Sequence, residues 1–207
     1  MSENHPPCIV LTGGPGGGKT TLIRELRAKD PECTKWVLVP EAAPLLFQAG
    51  LSAREMSFQA AVVRLQLALE DACALAAPAK AALVCHRGVL DALAYWATAG
   101  WNEDEFFHYV GFRREELLGR YTGVIHLQST AVGAEPFYRS WPEAHRPETI
   151  EQAAKIDAFC IRAWHGHRRH VIIENRDRPW SDKSEACANI LANWLLPRGP
   201  LTTDRNP

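Results

Sequence analysis

"CIVLTGGPGGGKTTLIRELRAK", residues 8–29, is the stretch on which the fold turns. Residues 8–12 are apolar and rich in β-branched side chains, the composition of a short buried strand. Residues 20–29 space their apolar positions as a helix does. The glycine-rich link between them, "GGPGGGKT" (13–20), fits the pattern G-x-x-x-x-G-K-[ST], with Gly13, Gly18, Lys19 and Thr20 at its fixed positions. Chemistry explains the pattern. Gly13, Gly14, Gly16, Gly17 and Gly18 let backbone amides turn inward around phosphate oxygens. The following helix aims its positive end at the same anion. Lys19 reaches the β- and γ-phosphates, and the Thr20 hydroxyl is placed for magnesium, with Thr21 beside it in the phosphate-binding set.

The rest of the chain alternates in the same way. "KWVLVP" (35–40), "AALVC" (81–85), "GVIHLQ" (123–128) and "HVIIEN" (170–175) read as four more strands. Helical patterns separate them. The longest covers about 53–77, with Ser52 and Glu55 as a capping box. Two helices are expected in 88–120, punctuated by Gly100 and Gly111. Another runs from the Thr149/Gln152 capping box to about His165, with Gly166 as its cap. The last spans 181–196. Short apolar strands alternating with helices specify a parallel sheet covered on both faces. The expectation is an α/β, three-layer, single domain, with its core at about 8–196, a lid at about 135–150 and a mobile tail at 197–207.

Composition narrows the function classes. The 207 residues are 46% hydrophobic and 23% charged, with a formal net charge of −1. That balance and the lack of a basic stripe argue against a nucleic-acid partner. No apolar run approaches the ~20 residues of a membrane span. "MSENHPP" lacks the features of a secretory signal. The 6 cysteines form no C-x-x-C pair and read as buried free thiols of a cytoplasmic protein. "HGHRRH" (165–170) lies at a helix end without a carboxylate or cysteine nearby, and reads as a basic cluster complementing the helix dipole rather than a metal site.

Further along, "LTGGPGGGKTTLI", "VLVPEAA", "HRGVLDALAYW" and an arginine-bearing segment before "ETIEQAAKIDAF" occur in an order that resembles the small P-loop kinase-like proteins. These are grouped loosely with AAA-type ATPases, and include the ribosylnicotinamide kinase domain of a bacterial NAD-biosynthesis regulator. The resemblance covers most of residues 8 to 196. It implies a P-loop NTPase fold of nucleotide-kinase type with strand order 2-3-1-4-5. The helical lid domain of ring-forming AAA machines has no room here.

The chain departs from this group at His86-Arg87-Gly88, where relatives usually carry Asp-Arg-Gly. A strand-end carboxylate helps hold magnesium, and imidazole is a poor ligand for so hard an ion. His86 is therefore expected either to pack at the strand end or to hydrogen-bond a metal-bound water. Asp91 matches a family aspartate and is a candidate metal carboxylate, though a carboxylate also suits a helix's first turn. Glu41 follows the second strand at the sheet's carboxyl edge, where open α/β sheets bind ligands. The resemblance implies that it orients or deprotonates the acceptor hydroxyl.

Arg87 directly follows a buried strand, so its charge needs an anionic partner. Arg139 and Arg146 lie in "FYRSWPEAHR", where P-loop kinases carry a closing lid, and their guanidinium forks suit migrating phosphate charge. The aromatics of "YWATAGWNEDEFFHYV" (95–110) read mostly as core, with some lining an acceptor pocket. Asn175 and Arg176 follow the fifth strand and are candidates for contact with the nucleotide base. No N-K-x-D element reads guanine, which ranks GTP below ATP. The expected function is transfer of the γ-phosphoryl of ATP, with Mg2+, to a small, nucleoside-like acceptor. The alternative is a regulatory nucleotide switch for a protein or lipid partner. Oligomeric state is not written in the sequence.

Overall fold

The computed structural model describes residues 5–139, 148–176 and 179–195. Five strands, β1 (Cys8–Thr12), β2 (Trp36–Val39), β3 (Ala82–His86), β4 (Gly123–Leu127) and β5 (His170–Ile173), form one sheet. Every pairing is parallel, and the order is β2-β3-β1-β4-β5. Residues alternate between faces along each strand, which sorts the core into two halves. Val10, Leu83, Cys85 and Val124 pack on one side, while Ile9, Leu11, Val84, Ile125 and Leu127 pack on the other.

Helices cover both halves. The first is covered by α3 (Met56–Ala76), α4 (Asp91–Thr98), α5 (Glu103–Val110), α6 (Arg114–Gly119) and α8 (Ile150–Ala163). The second is covered by α1 (Lys19–Lys29) and α9 (Trp180–Leu195). Two short helices complete the described elements, α2 (Ala42–Gln48) packed on α3, and α7 (Glu135–Arg139). The three-layer α/β fold and its strand order are those expected.

Three local expectations change. The long helix begins at Met56 after Glu55, with no side-chain cap; Ser52 instead accepts a hydrogen bond from the Arg54 amide. Three helices rather than two fill 91–119, because Gly111 takes a left-handed cap (φ 79°) and the chain re-enters helix at Arg114. The helix after Thr149 stops at Ala163, short of His165. The Thr149/Gln152 capping box forms as read, with both reciprocal bonds present. Arg114 donates to the carbonyls of Arg162, Ala163 and His165, satisfying the acceptors a helix leaves open at its C-terminal end. The expected tail, 197–207, lies outside the described residues.

Trp164 is fully buried, edge-on to Tyr121 at 5.1 Å, and its Nε1 donates to Asp91 at 3.3 Å. A Cβ on Gly88 would stand 2.8 Å from its ring. This indole therefore supports the turn after β3 from below. Trp164→Ala is expected to lower unfolding stability by about 3–5 kcal/mol, measured by denaturant titration.

Candidate active site

The loop after β1 is shaped by its glycines. Gly13, Gly16 and Gly18 have positive φ (122°, 81° and 91°). Gly18 is the N-cap of α1, and a Cβ there would fall 2.1 Å from the Trp180 ring. Only glycine meets both demands. A clamp from β4 and α8 holds the loop's other end. One Asp157 oxygen, Oδ1, accepts from the Gly14 amide at 2.7 Å and the Ser129 amide at 2.9 Å, and pairs with His126 Nε2 at 3.1 Å. The Ser129 hydroxyl donates to the Pro15 carbonyl. Burial would raise the Asp157 carboxyl, but His126 and these amides hold it below its ordinary value.

The Lys19 amine folds back over the loop and donates to the carbonyls of Gly13 (2.7 Å) and Gly14 (2.8 Å). Burial first, and the nearby Arg87 charge second, lower its pKa to about 7.

Beside the loop lies a charged web. Arg87 takes a left-handed backbone conformation (φ 68°) and is 8% exposed. Its Nε donates to Glu41 at 2.8 Å, one Nη to the Gly13 carbonyl (3.1 Å) and Asp91 (3.0 Å), and the other to Tyr95 (2.9 Å). His86 bridges the web to the loop, with Nδ1 2.9 Å from Glu41 Oε2 and Nε2 3.2 Å from the Thr20 hydroxyl. Burial would raise the Glu41 carboxyl, but Arg87 and His86 outweigh it and hold the group at about 2. With Glu41 ionised, the neutral imidazole satisfies both bonds only with its proton on Nδ1. In that tautomer Nε2 accepts the hydrogen bond of the Thr20 hydroxyl. A hydrogen-bonded chain, Thr20–His86–Glu41, thus runs from the loop into the web.

Asp91 is 2% exposed, and its oxygens accept from the Thr12 hydroxyl (2.6 Å), Arg87, the Gly88 amide (2.9 Å) and Trp164. These bonds make it an anchor of the web. The Asn175 amide donates to the carbonyls of Ser129 and Val132 and accepts from Lys183, so it ties β5 to β4. Arg176 pairs with Glu174. Arg139 closes α7, and Arg146 lies outside the described residues, as do all of residues 140–147 of the expected lid.

The loop and the web face one cavity of about 1570 Å³. Gly16–Thr21 and Arg24, with Pro179 and Trp180, line one end. Glu41, His86 and Arg87 stand in the middle. The other end is flat and apolar, formed by Phe47, Phe58, Val62 and Tyr95, with the Phe47 and Phe58 rings stacked at 4.9 Å. Gln59 lines this end and is 6% exposed. Of the aromatic run, Trp96 and Phe106 are core and only Tyr95 reaches the cavity.

Sequence reasoning missed Asp157, Gln59 and Trp180. Asp157 lies within "ETIEQAAKIDAF", on the buried face of α8 with Ala153, Ile156 and Cys160, and a charge on an otherwise apolar stripe was the available signal. Gln59 likewise interrupts the buried stripe of α3. Nothing in the sequence pairs Trp180 with Gly18.

The Thr20 hydroxyl, exposed beside the loop, is the kind of oxygen that a magnesium ion takes alongside phosphate oxygens and several waters. Glu41, reached from Thr20 through His86, adds a carboxylate to the neighbourhood. The donor set suits that ion, although among the described residues no cluster of three or more His, Cys, Asp or Glu forms a dedicated metal cage.

A glycine loop after the central strand of a 2-3-1-4-5 parallel sheet, with its lysine and threonine facing a shared cavity, defines a small P-loop NTPase of kinase-like architecture. The chain belongs to the AAA domain family, whose model matches residues 8–183. Among solved structures it is similar to the deoxyadenosine kinase from M. mycoides with the products dCMP and a flexible dCDP bound. That similarity has a TM-score of 0.61 at 15% identity, over 90% of this chain and 99% of the other. No curated protein matches the chain in sequence.

The Lys19 amine yields a test. Its folded pKa of about 7 lies below its ordinary 10.5, so the unfolded chain binds more protons between those values. Its contribution therefore makes stability rise with pH across that window. A bound polyphosphate supplies the missing counter-charge and pulls a proton on. Calorimetry of nucleotide binding at about pH 8, in buffers of different ionisation enthalpy, is expected to show net proton uptake that fades below about pH 6. Equal heats in all buffers at the higher pH would contradict this assignment.

Proposed function

We propose that the protein is a magnesium-dependent phosphotransferase that passes the γ-phosphoryl group of ATP to a hydroxyl of a small, nucleoside-like acceptor. The observation that carries this reading is the position of Glu41. It is an ionised carboxylate held by Arg87 and His86 midway along one cavity, between the phosphate loop and a flat aromatic end. A hydrolase has no use for further space beyond the carboxylate; a kinase needs it for its acceptor. The kinase named above supports the class of chemistry through its architecture.

In this reading, Lys19 leaves the Gly13 and Gly14 carbonyls for the β- and γ-phosphates, and the loop amides bind their oxygens. Thr20 would hold magnesium, which when bound neutralises charge across the phosphates. Glu41 accepts the hydrogen bond of the acceptor hydroxyl and aims its oxygen at the γ-phosphorus. As that bond forms, the bond from phosphorus to the β–γ bridging oxygen breaks, and the hydroxyl proton passes through Glu41 to solvent. So weakly basic a carboxylate suits a loose transition state in which the proton leaves late. Arg87 sits against Glu41 and the loop, where its charge offsets that of the migrating group, with Arg139 and Arg146 as lid candidates for the same work. Stacking on Phe47 and Phe58 and the Gln59 amide would hold a flat ring with polar edges.

A second reading, a regulatory nucleotide switch for a protein or lipid partner, draws on the imidazole that stands beside Thr20 where a carboxylate is usual. Purified protein that consumes ATP only when a metabolite mixture is added is a kinase. Slow consumption indifferent to the mixture favours the switch. Lys19→Ala is expected to abolish turnover. Glu41→Gln is expected to reduce it roughly 100-fold, with ATP affinity unchanged by calorimetry. Full turnover by Glu41→Gln would remove Glu41 from the mechanism.

A further inference from the structure

α3 carries a buried polar pair with no place in the mechanism above. Gln66 and Glu70 are 2% and 1% exposed, one helical turn apart on the face that meets α2 and the sheet. Burying an amide and a carboxylate among apolar groups is unfavourable unless each atom is used. Here each bond leads toward the site.

Glu41 is the N-cap residue of α2, yet its side chain makes no capping bond. A carboxylate at this position ordinarily accepts from the amides of its own first turn. The Glu41 carboxylate is committed to Arg87 and His86 instead, and Gln66 Oε1 accepts at 3.2 Å from the amide of Ala42, the first residue of α2, a donor that the Glu41 side chain does not serve. The oxygen and nitrogen ends of a glutamine amide are nearly alike in shape, so something must decide which end meets that amide. Glu70 does so by accepting from Gln66 Nε2 at 3.2 Å.

The same Glu70 oxygen accepts from the Tyr121 hydroxyl at 2.8 Å. With its proton so directed, the Tyr121 oxygen accepts from the Val89 amide at 3.0 Å, two residues beyond Arg87. Arg120 backs the second Glu70 oxygen at 3.5 Å and is itself tied to Asp71 at the surface. One buried carboxylate thus sets the direction of two hydrogen-bond chains, one ending behind Glu41 and one behind Arg87.

We propose that Gln66 and Glu70 are positioning residues. Gln66 ties down the first amide of α2, next to Glu41, so that Glu41 faces the acceptor, and Glu70 orients both Gln66 and Tyr121. Without them, the Ala42 amide lacks an acceptor, the first turn of α2 loosens, and Glu41 loses its fixed position against Arg87 and His86. The inference rests on the phosphotransferase reading of Glu41 and deepens it.

The test compares Gln66→Leu, Glu70→Leu, Glu70→Gln and Glu41→Gln with the unmodified protein. Backbone amide exchange is read at Ala42 and Val89. Turnover is read with magnesium ATP and a panel of adenosine, deoxyadenosine and deoxycytidine, and magnesium ATP affinity by calorimetry. Gln66→Leu is expected to speed exchange at Ala42 and lower kcat roughly tenfold without changing ATP affinity. Glu70→Leu is expected to do the same and to speed exchange at Val89. Glu70→Gln keeps an oxygen in place and is expected to restore both. A residue that only filled space would lower thermal stability without separating kcat from ATP affinity.

Unchanged exchange at Ala42 in Gln66→Leu would overturn the inference. So would unmodified kcat in both leucine variants when Glu41→Gln is impaired; the reading of Glu41 would then survive alone. Full turnover by Glu41→Gln would sink that reading and this inference together. A panel that the unmodified protein ignores would refute a nucleoside acceptor, and the exchange measurements would then decide the positioning claim.

Discussion

The positive charge of Arg87, shut away at the end of β3, is the constraint around which the site is built. A buried guanidinium must have its hydrogens accepted and its charge balanced. Glu41, Asp91, Tyr95 and the Gly13 carbonyl divide that task among α2, α4 and the phosphate loop. The residue also adopts a left-handed backbone, a strain of roughly 1–2 kcal/mol for a non-glycine side chain, and Trp164 and Tyr121 brace the turn that imposes it. Burial works against the charge, but Tyr95, Glu41 and Asp91 keep Arg87 protonated well above its ordinary value.

That charge explains its neighbours. It helps to depress Lys19 and it holds Glu41 ionised, so the resting site contains one reluctant cation and one committed anion. The cation is set for a polyanionic guest. Desolvation strengthens each interaction and lets few fixed groups do work that water would otherwise dilute. The site is thereby organised before any ligand enters, with the Asp157 clamp fixing the loop from one side and the Thr20–His86–Glu41 chain joining it to the web around Arg87.

The sheet was legible because it obeys local rules. Five short apolar runs, each followed by a helical pattern, leave few arrangements, and the glycine loop identifies the first strand. Family resemblance then supplied the strand order. Glu41, Lys19, Thr20 and Arg87 were legible for a similar reason: each sits at a strand end or in a fixed motif. What could not be read was which buried polar groups pair with which. Two of the groups that Asp91 binds, Thr12 and Trp164, lie 79 and 73 residues away. Asp157 reaches 143 residues back to Gly14. Partnerships over such separations follow from tertiary packing, which periodicity does not encode.

Trp180 leans its indole on Gly18 and donates Nε1 to Glu25 at 2.5 Å, which places a chromophore against the hinge between loop and helix. Any rearrangement of the loop around an incoming anion must alter the polarity or the quenching that this ring experiences. The molecule thus carries its own optical probe of occupancy, and its emission spectrum can follow the filling of the cradle in real time without an added label.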